Sequence, residues 1–419
     1  MSTRSEEKGE KSCEIRLGIV MYGGVSLAIY INGVAYEFFR AVRGQGIYKL
    51  VKALTDADII VDIISGTSAG GINGILLAYA LCNTRDFSVC AQLWRENADV
   101  RALLRSPYEG SKPEDSLFQS EEYFQPQLEK AFATMPPYEP EDNEDNSQFN
   151  ELDLFVTSTD VDGKQFSQID AAGHVIDVKD HRAVFVLKHR KDRKEPFKPD
   201  RSENGKPEAT YQALAKLARL TACFPFAFKP VHVQKEAADE ETVDGKLQTW
   251  GKLGKEAHFL DGGGLDNKPF TSTLREIFYR TADRKVIRKL FYVEPDPEHF
   301  DPQTGTPSPV TNNKTPNVLQ AVLAALIGIP GYESISDDLR LLADHNSKLE
   351  RYNRFAASLT ESAETSDLSP EQLALYGKAR LIALSERAIR GVLRVEGQDQ
   401  YLQAQDEREA ASRLYRGFD

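Results

Sequence analysis

Residues 62–80 read D-I-I-S-G-T-S-A-G-G-I-N-G-I-L-L-A-Y-A, and the fold is organised around this stretch. An apolar run leads into G-T-S-A-G, and residues 72–81 have helical character. Strand, tight turn and helix form the setting of a nucleophile elbow, where Gly66 and Gly70 leave room for a strained turn. The helix behind Ser68 directs its positive end at any oxyanion formed there. This context favours Ser68 as a nucleophile over a chance G-x-S-x-G match.

The composition indicates a soluble globular protein. Its 41% hydrophobic and 28% charged residues are ordinary for that class, and 419 residues can hold one large domain or a domain with a smaller companion. A net charge of −12 argues against a nucleic-acid partner. The charged N-terminus resembles no secretory signal, so we expect a cytoplasmic location. We also expect buried free thiols, as in a reducing compartment, because no C-x-x-C spacing occurs among Cys13, Cys82, Cys90 and Cys223.

Two uncharged windows, residues 17–36 and 63–82, are each about twenty residues long, enough to span a bilayer. Glycine, serine and asparagine interrupt both windows at the positions expected of strand-turn-helix units. We therefore interpret them as buried βα units of a mostly parallel sheet with helices on both faces.

The first of these units predicts a strand over residues 14–21 and a helix over residues 29–42. Gly23 and Gly24 lie between them. A glycine pair at this place presents backbone N–H groups to an anion, although tight βα turns also use glycine for geometry alone. The pattern is not G-x-G-x-x-G, so it gives little support to a dinucleotide site.

Further elements follow from pattern and punctuation. Asp162-Gly163 predicts a turn, and residues 234–254 predict a long loop. Three more strands are predicted at residues 153–160, 184–188 and 289–294. A helix is predicted at residues 211–223 and a Pro-rich linker at residues 295–317.

The chain divides into three parts. Residues 1–13 predict a polar, poorly ordered tail, residues 14–333 an α/β domain, and residues 334–419 a helical extension. Within the extension, a helix begins after Ser369 and carries one apolar stripe, so we expect the extension to pack on the core.

A second candidate for the site, a carboxylate, lies late in the domain. Asp261 ends a short apolar run and is followed by three glycines, in H-F-L-D-G-G-G-L-D-N-K-P. A plain Asp-Gly turn is the simpler explanation. However, a nucleophilic serine needs a base, and the pattern marks no histidine among His174, His181, His189, His232, His258, His299 and His345. We therefore consider a two-residue site of Ser68 and Asp261.

These blocks resemble, in order, those of the patatin-like phospholipases. The elbow is G-T-S-A-G, the second block is D-G-G with Asn267 and Pro269, and the Gly-rich block is G-G-V-S-L-A. Two weaker pieces agree, V-T-S-T-D at residues 156–160 with Gly163, and the segment around Thr221. The resemblance covers about residues 14–295. The helical extension beyond it looks like that of some bacterial patatin-like proteins.

The resemblance implies a three-layer α/β/α fold and a lipid acyl hydrolase of the phospholipase A type. It implies a Ser68–Asp261 dyad that acts through an acyl-enzyme, with no metal or cofactor needed. The site residues that it implies besides the dyad are backbone N–H donors at Gly23, Gly24, Val25 and Ala69, and motif glycines Gly66, Gly70, Gly262 and Gly263. One departure stands out, because Leu27 occupies the place of the family's basic residue.

The expected partner is a lipid or phospholipid acyl ester, with peripheral contact to a membrane and no nucleic acid. The sequence leaves the oligomeric state open. It also leaves open two alternative functions. One is an esterase with a Ser-Asp-His triad, and the other is a non-catalytic binding or regulatory protein on the same fold.

Overall fold

The described part of the chain contains a seven-stranded sheet that carries the Ser68 turn near its middle. The computed structural model describes residues 11–23, 28–97, 103–104, 116–140, 150–169, 174–191, 195–199, 209–225, 227–236, 242–282, 284–294, 336–363, 370–371, 374 and 377–378. The strands are β1 (Cys13–Met21), β2 (Ala57–Gly66), β3 (Glu151–Ile169), β4 (Val175–Arg190), β5 (Val231–Val233), β6 (Ala257–Asp261) and β7 (Lys285–Val293).

The strand order is β5-β6-β3-β2-β1-β7, and β4 pairs with β3 outside this path. The centre of the sheet is parallel, with Met21 opposite Gly66 and Val293, and Gly66 opposite Val156. β6 pairs antiparallel with both β3 and β5. The predicted parallel sheet is confirmed in its centre. Its register brings the turns after β1 and β2 to the same edge, where open α/β sheets place their sites.

Helices cover both faces of the sheet. They are α1 (Ala28–Arg43), α2 (Ile47–Thr55), α3 (Ser68–Cys82), α4 (Cys90–Asn97), α5 (Gln125–Thr134), α6 (Ala209–Thr221), α7 (Val243–Gly251), α8 (Phe270–Tyr279) and α9 (Ser336–Ala363). The side chain of Ile64 lies against Gly74 of α3, whereas Ser65 is hydrogen-bonded to Thr273 of α8 at 2.5 Å. Successive residues of a strand point to opposite faces, so α3 and α8 lie on opposite sides. The predicted α/β class with helices on both faces is confirmed.

Helix α3 is buried from Ser68 to Leu81. A helix that is apolar all round is typical of a protein core or of a membrane span, and the described residues bury α3 within the core, as predicted for the uncharged window at residues 63–82. Each fully buried Leu or Ile side chain here contributes about 1.5–3 kcal/mol of transfer free energy. This burial fixes the position of the helix end that begins at Ser68.

The one charged residue between Ile59 and Cys82 has its own partners. Asp62 of β2 is fully buried, and both of its carboxylate oxygens accept hydrogen bonds from Arg288 of β7, at 2.5 and 2.9 Å. A buried carboxylate without a partner would destabilise the fold strongly. Arg288 therefore accounts for the buried charge within the apolar run from Ile59 to Ile64.

Two local predictions were wrong. β3 continues through Asp162-Gly163 to Ile169, so no chain reversal occurs there, and Gly163 instead takes a positive φ of 66° within the strand. The predicted loop at residues 234–254 contains α7, which Thr242 caps by accepting a hydrogen bond from the Gly245 N–H at 3.0 Å. Helices α2 and α8 were not predicted.

The structure describes only part of each end of the chain. β1 begins at Cys13, which was predicted to belong to the tail. The predicted linker at 295–317 and the apolar stripe after Ser369 lie almost entirely outside the described residues.

Contacts divide the chain into two units, residues 1–164 with 179–338, and residues 165–178 with 339–419. The helix α9, which begins at Ser336, agrees with a helical extension. Its docking on the core stays a prediction, which limited proteolysis tests: rapid cleavage throughout residues 334–419 that leaves an active core would contradict it.

Candidate active site

The turn between β2 and α3 holds Ser68 in a strained conformation. Ser68 has a φ of +52°, a region that non-glycine residues seldom adopt. A methyl group added at Gly66 would lie 2.6 Å from the carbonyl oxygen of Gly70, and one added at Gly70 would collide with the carbonyl of Met21. The turn therefore needs glycine on both sides of Ser68, as the sequence predicted.

The Ser68 hydroxyl donates a hydrogen bond of 2.9 Å to Oδ2 of Asp261. The other carboxylate oxygen of Asp261, Oδ1, accepts the Gly263 N–H at 2.8 Å. Ser68 and Asp261 are only 5% and 6% exposed, so this hydrogen bond is largely shielded from water. The structure thus brings together the two residues that the sequence marked independently.

Burial raises the pKa of the Asp261 carboxyl to about 6, because the charged form loses its hydration. The hydrogen bonds from the Gly263 N–H and the Ser68 hydroxyl stabilise the ionised form and limit this rise. No cationic side chain contributes to the pKa of Asp261 among the described residues. The carboxyl is therefore a stronger proton acceptor than an ordinary aspartate, and it is still mostly ionised at pH 7.

The backbone of β6 and the turn after it fix the Asp261 carboxylate. Asp261 lies opposite Ser158 of β3, and its N–H donates to the carbonyl of Cys223 at 3.0 Å. Its own carbonyl accepts the Thr159 hydroxyl at 2.9 Å. A methyl group added at Gly262 would lie 2.5 Å from the Thr157 carbonyl oxygen, so only glycine lets this turn lie flat against β3.

The threonine Thr221, at the end of α6, holds the backbone of the nucleophile. Its hydroxyl accepts the Ser68 N–H at 3.0 Å and donates to the Thr157 carbonyl at 2.7 Å. The Ser68 N–H is thereby occupied within the protein. The sequence marks Thr221 only as part of a weak block, and this contact was not predicted because no local pattern reveals it.

Two further threonine hydroxyls connect the elbow with the turn that follows Asp261. Thr67 and Thr157 are 2.5 Å apart at their Oγ1 atoms, and both approach the Asp266 carbonyl, at 3.0 and 3.1 Å. The two weaker sequence blocks thus each supply a hydroxyl beside the elbow: Thr221 accepts the Ser68 backbone N–H, and Thr157 contacts the Thr67 hydroxyl.

Gly23 and Ala69 flank Ser68 from two sides. A methyl group added at Gly23 would lie 2.7 Å from Cβ of Ser68 and 3.1 Å from Oδ1 of Asn267. The same Asn267 oxygen would lie 3.0 Å from a methyl group at Gly263, so its side chain fills the space between the two glycine turns. Ala69 belongs to the first turn of α3, where N–H groups have no intrahelical acceptor. Gly24, Val25 and Leu27 lie outside the described residues.

Within the described residues, the hydrogen bonds to Ser68 and Asp261 involve no imidazole. His181 instead bonds to the Asp160 carbonyl, His232 to Glu256, and His258 to Asp162. His299 lies outside the described residues. The geometry therefore pairs the nucleophile candidate with a carboxylate directly.

The four cysteines are free thiols, as expected, and the described structure buries Cys13, Cys90 and Cys223 and half-buries Cys82. Burial raises the pKa of the Cys223 thiol to about 12, with a smaller opposing effect of Arg219. Cys223 contributes its carbonyl to Asp261, and its protonated thiol is unsuited to act as a second nucleophile.

Comparison with known proteins shows a distant relative and a family. A protein of Mycobacterium tuberculosis (strain ATCC 25618 / H37Rv), described as an uncharacterized membrane protein, is 28% identical over 387 residues. The match covers 84% of this chain and 34% of that protein, so the chain spans about a third of the relative's length. No solved structure matches the chain. The helices described here include none that is long and apolar enough to cross a bilayer.

The family model of the patatin-like phospholipases matches residues 19–274. This range contains the Ser68 elbow, the Asp261 turn, the Gly-rich block, the V-T-S-T-D block and the segment around Thr221. The match covers more than half of the chain. The protein therefore belongs to the patatin-like phospholipase family.

Proposed function

We propose that the protein is a lipid acyl hydrolase of the phospholipase A type, in which Ser68 is the nucleophile and Asp261 the general base. The observation that carries this proposal is the buried 2.9 Å hydrogen bond from the Ser68 hydroxyl to Asp261. Membership of the patatin-like phospholipase family supports a lipid ester as the substrate.

The reaction begins when Oγ of Ser68 attacks the ester carbonyl while its proton passes to Oδ2 of Asp261. The tetrahedral intermediate then collapses, the acyl–oxygen bond breaks, and the departing alkoxide takes the proton from Asp261. Water attacks the acyl-enzyme in the second half, with Asp261 accepting its proton and returning it to Oγ. The products are a fatty acid and the deacylated lipid, and the dyad is restored.

The raised pKa of Asp261 suits this role. A base is most effective when its pKa lies near the working pH, and an ordinary aspartate, with a pKa near 4, is a weak proton acceptor. With a pKa of about 6, Asp261 is a better acceptor and remains mostly ionised at neutral pH.

The oxyanion would be stabilised by backbone N–H groups of Gly23 and Ala69, with Gly24 and Val25 as further donors. The Ser68 N–H is an unsuitable donor because Thr221 already accepts it. The N-terminal end of α3 adds its positive dipole at the same place.

Substrate in a bilayer requires contact with its surface, and we propose a peripheral contact close to the site, on a cytoplasmic membrane face. Ile29 and Tyr30 lie in the first turn of α1, which follows the Gly-rich block in the sequence, and they are 54% and 55% exposed. Leu265 follows the Asp261 turn and is also exposed. Apolar side chains at these positions suit insertion among lipid headgroups.

The proposal is tested by turnover of a p-nitrophenyl ester and of phospholipid vesicles with Ser68→Ala. We expect less than about 0.1% of wild-type turnover, since removing a nucleophile costs several orders of magnitude. Ser88→Ala is the matched control, because Ser88 is exposed and its hydroxyl forms no hydrogen bond within the described part of the chain. A fluorophosphonate should label Ser68 alone. Residual turnover of a few per cent would exclude Ser68, and an inactive, unlabelled wild type would favour the non-catalytic alternative.

A further inference from the structure

Two histidines face each other at the edge of the sheet, away from Ser68. His232 of β5 and His258 of β6 are direct partners in the antiparallel pair. Their rings stack with centroids 4.6 Å apart and an interplanar angle of 15°. Glu256, just before β6, places a carboxylate oxygen 2.6 Å from Nε2 of His232. Two imidazoles and a carboxylate thus converge on one small volume.

The strand pattern explains why these rings lie together at the surface. Val231, Val233, Ala257 and Phe259 are buried in the core. His232 and His258 alternate with them and therefore point to the opposite face of the pair. Their side chains are 37% and 48% exposed, so an ion from solvent reaches them directly.

A fourth residue orients one of the rings. Nδ1 of His258 lies 3.1 Å from Oδ2 of Asp162, and the same oxygen accepts the His258 backbone N–H at 3.2 Å. An ionised carboxylate only accepts hydrogen bonds, so the proton of this contact belongs to Nδ1, and Nε2 of the neutral ring carries the lone pair that can bind a metal. Metal-ligating histidines commonly use a carboxylate in this way to fix their orientation.

We propose that His232, His258 and Glu256 form a site for a transition-metal ion, with Zn²⁺ as the ion that these donors suit best. One ligand atom from each residue lies within 4.8 Å of the others. Ligands at about 2.0–2.1 Å around a tetrahedral Zn²⁺ are roughly 3.4 Å apart, a difference that small side-chain rotations cover. Water completes the coordination.

The bound ion would cross-link β5 to β6. β6 ends at Asp261, three residues after His258, but Asp261 is buried with Phe259 on the other face of the strand. The ion therefore lies apart from the ester chemistry and acts on the stability of the strand that carries Asp261. This site is independent of the proposed hydrolase function.

The test is calorimetric titration of Zn²⁺ into the full-length, chelator-stripped protein. We expect saturable binding of one ion per chain with a micromolar or lower Kd, and a higher Tm in the presence of Zn²⁺. His232→Asn, His258→Asn and Glu256→Gln should each weaken binding at least tenfold, and Asp162→Asn by a smaller factor. His345→Asn is the control, because it removes one imidazole elsewhere and should leave the affinity unchanged.

Co²⁺ provides a second measurement that identifies the donors. Binding at the proposed site should give d–d absorption without a thiolate charge-transfer band, and the His232→Asn/His258→Asn variant should lose this spectrum. The variant's circular dichroism should match that of the wild type, since both rings are at the surface. The proposal is overturned if wild type shows no saturable Zn²⁺ binding below about 100 µM, if a correctly folded double variant binds equally well, or if the spectrum reports cysteine ligands.

Discussion

The Ser68 hydroxyl donates a hydrogen bond of 2.9 Å to Asp261, although 193 positions separate the two residues in the chain. The sheet register makes this possible. Gly66 of β2 lies opposite Val156 of β3, and Ser158 of the same strand lies opposite Asp261 of β6. The elbow and the carboxylate turn therefore flank one central strand, and the chemistry of the pair depends on this arrangement and on its burial.

Asp261→Asn should keep the shape of the site and lose the proton acceptor. We expect turnover of a p-nitrophenyl ester to fall by a factor of about 10³ or more. Because the two groups act as a unit, Ser68→Ala/Asp261→Asn should be little worse than either single variant. Losses that multiply in the double variant would show that the two residues act independently.

The pH dependence of kcat/KM should report the ionisation of Asp261. The base must be deprotonated to accept the Ser68 proton, so activity should rise with pH and level off above its pKa of about 6. At pH 5 the rate should be about tenfold below the plateau, as for one titrating group. A profile measured between pH 4 and 9 checks this, and a midpoint near 4 would contradict a raised pKa.

Stability should change with pH in the opposite direction. A carboxyl whose pKa is raised on folding stabilises the folded state most when the pH lies below the pKa of that carboxyl in the unfolded chain, near 3.8. This contribution is lost as the pH rises through the folded-state pKa of about 6. Asp261→Asn removes the buried charge. Its free energy of unfolding should exceed that of the wild type by up to about 3 kcal/mol at pH 7–8, since one pKa unit corresponds to about 1.4 kcal/mol.

Urea unfolding at pH 4 and pH 8 measures this effect. The advantage of Asp261→Asn should be clear at pH 8 and largely absent at pH 4. If the variant is less stable than the wild type at both values, the hydrogen bonds of the carboxylate outweigh its burial and the assigned cause is wrong.

Gly23→Ala should disturb the nucleophile directly, because its methyl group would lie 2.7 Å from Cβ of Ser68. We expect at least a hundredfold loss in kcat, together with slower fluorophosphonate labelling. Gly33→Ala is the matched control: a methyl group there meets nothing within 4 Å. In the middle of α1 it should raise the stability by about 0.5–1 kcal/mol without affecting turnover. Equal activity of the two variants would argue against tight packing of the Gly23 turn on Ser68.

Replacement of each histidine by alanine should leave ester turnover within about threefold of wild type, because a carboxylate serves as the base. His299 and His345 are the critical cases, since a triad in the usual chain order places its imidazole after the acidic residue. The assay should be run in chelator, so that any effect of metal at His232 and His258 stays separate. A loss as large as that of Asp261→Asn, in a folded protein, would establish the triad alternative.

The sequence predicted the parts of the site that local geometry dictates. A strand, a glycine-flanked turn and an apolar helix around Ser68 leave few conformations, because a side chain at Gly66 or Gly70 would meet backbone atoms. The three glycines after Asp261 marked the second turn in the same way. The strand-turn-helix pattern of the two uncharged windows also predicted α1, α3 and the parallel centre of the sheet.

Other features of the fold and the site depend on contacts between segments that are far apart in the sequence. The continuation of β3 past Gly163, the pairing of His232 with His258 and the contact of Thr221 with the Ser68 N–H all depend on register between strands or on packing between helices. The pKa of Asp261 belongs to this group as well. The sequence shows a carboxylate followed by glycines. The carboxylate loses its hydration only when β3, β6 and the elbow pack around it, and this loss turns a weak base into a stronger one.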